Sequence, residues 1–517
     1  MSDQQGTSKV SPLRSSGTWD EAILWTLLAG GGIIRIFAAI PLLPNGLKDD
    51  AYIILRYAQN LAQGFGFVFN PGEKVLGSTT PLFTLILAAA GRLIGVSHLE
   101  GIAVAAGILF SIGILFYCER ILTLAGLAPG VKWAYLVVLA FLPSFISNAT
   151  SGMETSLVLF LMSLSLYVCM QNRMIFLAVV GVLLVLSRLD TGIWLLALGI
   201  HILLTKRGQS KRDLALPLAI FLAGVFSWLL FTKIHFGSVL PQSLVGKAVS
   251  HGAFKPPDWI YSLMFLSSFV PAQRFGMWGL AVIAVAFLAL IPSTIQFWRQ
   301  YKDLRPIVYF FPLYAAIFLS CRTPFFSWYS IPSKWAFYLL ATYLIWWVFE
   351  KAAEIWPVPL KPELVMGLLA ASMVLLGVHM VRGEFGTQQP NTPLAISNLI
   401  DQQVRPEGRV FLEHIGLIGY RTRRYIYDYM GLVTPETVRL RRQYGSNWVP
   451  KAARQYQADV VVLYGPDVLS VERTDDVDAI WFQNTYRHVK DYETAGFVIS
   501  VYFLKGSPRV LSGPIRP

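Results

Sequence analysis

Long apolar runs fill the first three quarters of the chain, broken by short polar clusters. They fall at about 22–43, 80–96, 101–122, 132–148, 155–171, 174–188, 190–205, 213–234, 275–297, 306–320, 331–349 and 362–381. Crossing a bilayer takes roughly 20 apolar residues of helix, and many of these runs reach or approach that length. After residue 382 the pattern changes. Short strand-like runs such as Arg409–Leu412 and Asp459–Leu463 alternate with helical stretches and turn-rich polar connections. That pattern predicts a soluble α/β domain.

Composition agrees with a membrane protein. Of 517 residues 55% are hydrophobic, mean hydropathy is +0.53, and only 14% are charged. A soluble domain carries about 25% charged residues. Fifteen Trp and 22 Tyr suit the two interfacial belts. The net charge of +13 raises nucleic acid as a partner. Cytoplasmic loops rich in Lys and Arg account for it better. The region 382–517 holds 17 basic and 14 acidic residues, so it is no basic arm, and no nucleic-acid partner is expected. Cys118, Cys169 and Cys321 lie far apart in or beside apolar runs, with neither metal nor disulfide spacing. The N-terminus shows no cleavable signal pattern, so the first helix is expected to stay in the protein.

The loop charges choose the topology. With all twelve segments spanning and a cytoplasmic N-terminus, the Lys206–Arg212 and Arg299–Arg305 loops fall outside, against the positive-inside tendency. Removing 80–96 returns both to the cytoplasm. That segment starts at Pro81 and is interrupted by Gly91-Arg92, which suits a helix lying along the interface. The expected fold is therefore a mostly α polytopic membrane protein with about eleven spans plus interfacial helices. Residues 1–21 form a cytoplasmic tail, 22–381 the membrane domain and 382–517 an extracytoplasmic α/β domain.

In this topology the outer face collects the candidate chemistry. Asp49 and Asp50 follow the first span; a carboxylate can take a proton from an acceptor hydroxyl, and a pair can divide roles or hold a divalent metal. The plain alternative is a solvated pair at a helix N-terminus. Glu154 stands at a span boundary, where the helix dipole alone would welcome it. Arg188 and Asp190 interrupt an apolar run, and Arg35 lies deep in the first span; charges at such depth face a partner or a cavity. Arg56 in the first outer loop, His235 and Lys247 in the loop after residue 234, and Arg322 with Trp328 and Tyr329 are candidates for an anionic group beside an aromatic wall, or ordinary interfacial residues. Walker, dinucleotide-binding and HExxH zinc motifs do not occur.

Taken in order, these stretches resemble the GT-C superfamily of membrane glycosyltransferases, nearest to the mycobacterial terminal arabinofuranosyltransferase type. The most specific is Asp49-Asp50-Ala51-Tyr52-Ile53-Ile54-Leu55-Arg56-Tyr57-Ala58-Gln59-Asn60-Leu61, followed by Gly64–Val75. It resembles the first outer loop of bacterial members. Thr150–Thr155 looks like the second acidic site, Phe236–Ser243 with Lys247 like another outer-loop pattern, and Asp428–Glu436 like a tail motif. Arg188-Leu189-Asp190 resembles the Arg-Pro-acid corner, with Leu in place of Pro.

The resemblance implies inverting transfer of a sugar from a polyprenyl-phosphate donor to a cell-envelope glycan, lipid or protein acceptor, on the extracytoplasmic side of a bacterial plasma membrane. Asp49 matches the catalytic base, and Asp50 and Glu154 the supporting acids. Arg56, Arg188, Asp190, His235, Lys247, Arg322 and Tyr329 are the expected donor contacts. A divalent metal (Mg or Mn), if used, would be held by Asp49, Asp50 and Glu154. The rival readings are a transporter or flippase of an anionic, lipid-linked substrate, whose buried charges would be coupling sites, and a non-catalytic scaffold.

Overall fold

The computed structural model describes residues 18–205, 211–250, 265, 268–269, 276–321, 326–355, 361–386, 392–494 and 497–511. The membrane part is helical. Helix α1 (Thr18–Ala39) is followed by a short α2 (Leu42–Asn45), then α3 (Asp49–Ala62), α4 (Pro81–Ile94), α5 (Leu99–Leu124), α6 (Pro129–Phe141), α7 (Pro143–Thr150), α8 (Thr155–Met170), α9 (Met174–Ser187), α10 (Thr191–Thr205) and α11 (Lys211–Phe236). After these come α12 (Gln242–Ser250), α13 (Gly276–Gln300), α14 (Arg305–Cys321), α15 (Ile331–Ile355) and α16 (Pro362–Gly386). Among the described residues five helices are long and apolar enough to cross a membrane, or six if the α6–α7 pair, bent by 47°, is one span. Helices α4, α8, α9 and α10 are shorter apolar helices of 14 to 16 residues. Segment 80–96, expected at the interface, is one of these: α4 at 14 residues rises only about 21 Å.

The bend between α6 and α7 explains Arg35. Pro143 has no N–H, so it cannot continue the helical ladder to the carbonyl of Leu139. Arg35 fills that gap from α1: Nη2 donates to Leu139 O at 2.9 Å and Nη1 to Ala140 O at 2.7 Å. This buried cation repairs a broken helix. At the N-terminal end of α1, Lys132 gathers Asp20 at 3.2 Å and Glu119 at 3.6 Å. That cluster lies a helix length, about 33 Å, from the end of α1 that leads to Asp49.

The tail begins with α17 (Thr392–Gln403), once α16 has run through to Gly386, five residues beyond the expected boundary at 381. It continues through β1 (Arg409–Leu412), α18 (Ile415–Thr422), β2 (Tyr425–Asp428), α19 (Pro435–Tyr444), α20 (Trp448–Tyr456), β3 (Val460–Tyr464), α21 (Pro466–Glu472), α22 (Val477–Thr485), β4 (Tyr486–Thr494) and β5 (Phe497–Leu504). The sheet order is β2-β1-β3-β5-β4. Strands β2, β1 and β3 are parallel, and β5 and β4 add antiparallel. Both faces are covered: Val460 and Val462 pack into one cluster and Val461 and Leu463 into another, as strand alternation requires. The first cluster also contains Ile53, Tyr57, Phe67, Phe69 and Leu76 from α3 and the segment that follows it. The tail therefore shares a core with the membrane domain, which it meets through α18, β2 and the loop that follows β2.

Candidate active site

Helix α3 opens with two acids, which suits the positive end of its dipole. Consecutive helical residues point about 100° apart, and the two carboxylates separate accordingly. Asp50 faces a cavity of about 390 Å³. Asp49 turns the other way and accepts backbone N–H bonds from Gly416 (3.1 Å) and Leu417 (2.9 Å) at the start of α18. Burial pushes the Asp49 carboxyl above its ordinary value, while His414 and those two N–H groups pull it back.

Seven stretches of the membrane domain meet at the cavity. Asp50, Ile53 and Ile54 come from α3, and Gly77–Thr80 from the segment before α4. Met153 and Glu154 precede α8, and Arg188–Asp190 with Ile193 form the corner between α9 and α10. Ser243, Leu244, Lys247 and Ala248 come from α12; Tyr314, Ile317 and Phe318 from α14, followed by Trp328 and Tyr329. The tail contributes Leu432.

Charges alternate around this wall. Lys247 Nζ lies 3.4 Å from Asp50 Oδ2. Burial lowers the Lys247 pKa, but Asp50 and Tyr329 outweigh it, so the ammonium sits above the usual lysine range. Arg188 holds Asp190 with two bonds, Nε to Oδ1 at 2.7 Å and Nη2 to Oδ2 at 2.8 Å. Its Nη1 stands 3.6 Å from Glu154 Oε1, and its guanidinium lies 5.6 Å from the Tyr329 ring centroid. The Tyr314 hydroxyl reaches Asp190 (3.1 Å) and the Tyr329 carbonyl (2.6 Å).

Four lining side chains carry a buried polar atom with no hydrogen-bond partner among the described residues: Thr80 Oγ1, Glu154 Oε2, Arg188 Nη1 and Ser243 Oγ. Buried polar groups are satisfied in the large majority of cases, so these four atoms are open to water or to the polar groups of a bound molecule. Two further lysines stand beside the site, and of these the sequence did not point to Lys334. Lys48 Nζ lies 5.3 Å from the Trp328 ring centroid; burial lowers its pKa, and Asp50 and Glu154 oppose that. Lys334, only 7% exposed at the start of α15, has no acidic partner among the described residues, and its charged neighbour is Lys48. Thr80, Ser243 and Tyr314 were also missed. Lys334 could have been found as a lone cation opening an apolar run; the hydroxyls carry no such signal.

The structure departs from the sequence expectation at three residues. Asp49 does not line the cavity, because α18 of the tail occupies its side of α3. Arg56 is buried behind α3: its Nε donates to Phe69 O and its Nη atoms donate to Gly419 O and Arg424 O, so it clamps the tail. His235 stacks on Phe231 with ring centroids 5.3 Å apart and does not line the cavity. Arg322 lies outside the described residues. Among the described residues no group of three His, Cys, Asp or Glu is placed to hold a metal ion. The expected metal set does not converge: Asp49 binds the α18 amides, Asp50 meets Lys247 and Glu154 meets Arg188.

This architecture, a helical membrane domain with a charged cavity and an α/β tail, has structural parallels. The crystal structure of ArnT from Cupriavidus metallidurans matches over 93% of this chain and 97% of its own, with TM-score 0.58 and 11% identity. The oligosaccharyltransferase of Archaeoglobus fulgidus, solved with a tethered acceptor peptide containing an NVT sequon, matches over 94% of this chain and 74% of its own, with TM-score 0.54 and 10% identity. The fold is the one these two structures share. Residues 381–508 match a family described as a domain of unknown function (DUF8728). The terminal β-(1→2)-arabinofuranosyltransferase of Mycobacterium tuberculosis is 26% identical over 304 residues, 54% of this chain and 45% of that protein. The chain thus spans less than half the length of this curated relative.

Proposed function

We propose that this GT-C protein is an integral membrane glycosyltransferase. It moves a sugar from a polyprenyl-phosphate donor to an acceptor hydroxyl on the extracytoplasmic side, with inversion. The observation that carries the reading is the cavity wall. It sets Asp50 and Glu154 against Lys247 and Arg188 and leaves four buried polar atoms without hydrogen-bond partners among the described residues. The likeness to ArnT, the oligosaccharyltransferase and the arabinofuranosyltransferase supports it.

In one displacement the acceptor oxygen bonds to the anomeric carbon as the bond from that carbon to the phosphate oxygen breaks. The electron pair leaves on polyprenyl phosphate. The acceptor proton goes to a carboxylate, for which we assign Asp50; its 30% exposed side chain on the cavity face of α3 supports that role. Asp49, the base expected from the resemblance, takes a supporting role through the tail. Lys247, Lys48 and Lys334 provide positive charge for the donor phosphate. The Lys247–Asp50 contact, at 3.4 Å, is long enough for the ammonium to turn towards that phosphate. Glu154 and Arg188 offer Oε2 and Nη1 to sugar hydroxyls or phosphate oxygens. Exposed Leu189, Leu244 and Ile317 border the cavity on an apolar side suited to the prenyl chain.

The test is reconstitution of the full chain in lipid nanodiscs with radiolabelled decaprenyl-phosphate sugars, beginning with arabinofuranose, and a panel of glycan and lipid acceptors. The expected result is a new glycosidic bond with release of decaprenyl phosphate. Movement of the lipid across a vesicle membrane without a new bond would establish the transporter reading instead.

A further inference from the structure

Among the described residues, the tail reaches the cavity through the loop 429–434, at the carboxyl end of β2. Asp428 braces that loop. Its fully buried carboxylate accepts N–H bonds from Met430 and Val433, each at 2.8 Å, and its own N–H donates to Thr434 Oγ1 at 2.9 Å. Gly431 adopts φ +74°, a left-handed turn that suits glycine.

The braced loop is pressed against α12, the helix that carries Lys247. Gln242 Nε2 donates to Gly431 O and Ser250 Oγ to Met430 O, both at 3.0 Å, one at each end of the helix. Between them sits Gly246, immediately before Lys247. A Cβ there would lie 2.8 Å from Gly431 C and O and 2.9 Å from Met430 O, so the helix backbone rests directly on the loop backbone. The loop also seats on the segment before α4: a Cβ at Gly77 would lie 2.6 Å from Val433 Cγ1 and 3.0 Å from Leu432 O. Gly77 and Leu432 both line the cavity. Two hydrogen bonds and a glycine contact to the tail, together with the Gln242 N–H bond to Leu76 O at 2.7 Å, fix the height and rotation of this nine-residue helix.

Building on the function proposed above, we infer that the 429–434 loop of the tail is part of the donor-phosphate site. It positions Lys247 by bearing on α12, and Gln242, Gly246 and Ser250 are the positioning residues. The tail is then a component of the catalytic centre, carried on a separate domain so that the domain's seating sets the cation.

The experiment compares binding of decaprenyl phosphate and of decaprenol, its phosphate-free counterpart, to the full chain in nanodiscs. Wild type is expected to prefer the phosphate. Gln242→Ala/Ser250→Ala is expected to weaken phosphate binding about tenfold while leaving decaprenol within about twofold. Lys247→Ala should cause a comparable loss, and adding it to the double variant should cause little more, because the residues act through one cation. Gly246→Ala, which drives helix and loop apart, gives a second route to the same loss. A phosphate preference that survives both variants, or losses that simply add, would overturn the inference alone. Equal loss for phosphate and alcohol would mark general disruption and also overturn it. A wild type that binds the two lipids alike would overturn the underlying phosphate site and this inference with it.

Discussion

Asp49 and Asp50 are the same residue type one position apart, yet they do different things. The motif announced the pair; which member faces the cavity depends on where the tail's α18 packs, about 370 positions later in the chain. Asp50→Ala is expected to abolish transfer while the protein still elutes as a folded species and still binds polyprenyl phosphate. Asp49→Ala should instead leave the amides of Gly416 and Leu417 unpaired, at a cost of roughly 1–3 kcal/mol each at most. It should raise protease sensitivity of the tail along with any loss of activity. If Asp49→Ala is inactive with an unchanged digestion pattern, the two residues have the opposite roles. Asp428 supplies a pH signature. Burial pushes its carboxyl up to about 7, against the pull of the Val433 and Met430 N–H groups. A folded value above the unfolded one means the native state holds a proton the unfolded chain has released. Stability from this group is therefore full at the acid end and declines as pH rises towards about 7. The melting temperature should fall less in Asp428→Asn than in wild type between about pH 5 and about pH 8; parallel curves would contradict this.

At the scale of elements, hydropathy located most helices because the membrane imposes one pattern on them. It located β1 and β3 because buried parallel strands read as short apolar runs. The break between α6 and α7 was not legible, since Pro143 in an apolar run signals a bend but not its repair by Arg35. Nor was the seating of α18 on α3. A Cβ at Gly416 would lie 1.9 Å from the Asp49 carbonyl oxygen, closer than atoms can approach. Gly416→Ala should therefore force the two helices apart and destabilise the tail by roughly 1–3 kcal/mol. Limited proteolysis in detergent should degrade the tail sooner than in wild type. A variant as resistant as wild type would show that the interface yields without cost.

On the scale of the whole molecule, residues from seven stretches of the membrane domain and one of the tail line a single cavity. Counting spans and charges along the sequence brought Asp50, Glu154, Arg188, Asp190, Lys247 and Tyr329 to the same face, and the fold gathers them in one wall. It did not bring Lys334 or Leu432, whose relevance comes only from distant packing. The tail was legible as an α/β domain but not as a joint owner of the core that contains Ile53, Tyr57 and Val460. The most direct measurement is single-turnover transfer from a radiolabelled decaprenyl-phosphate sugar by the full chain in nanodiscs, comparing wild type with Asp50→Asn and Lys247→Ala. A labelled glycosidic product from wild type, none from Asp50→Asn with donor binding retained, and a raised donor KM with a smaller change in kcat for Lys247→Ala is the predicted outcome. Undiminished product from Asp50→Asn would contradict it.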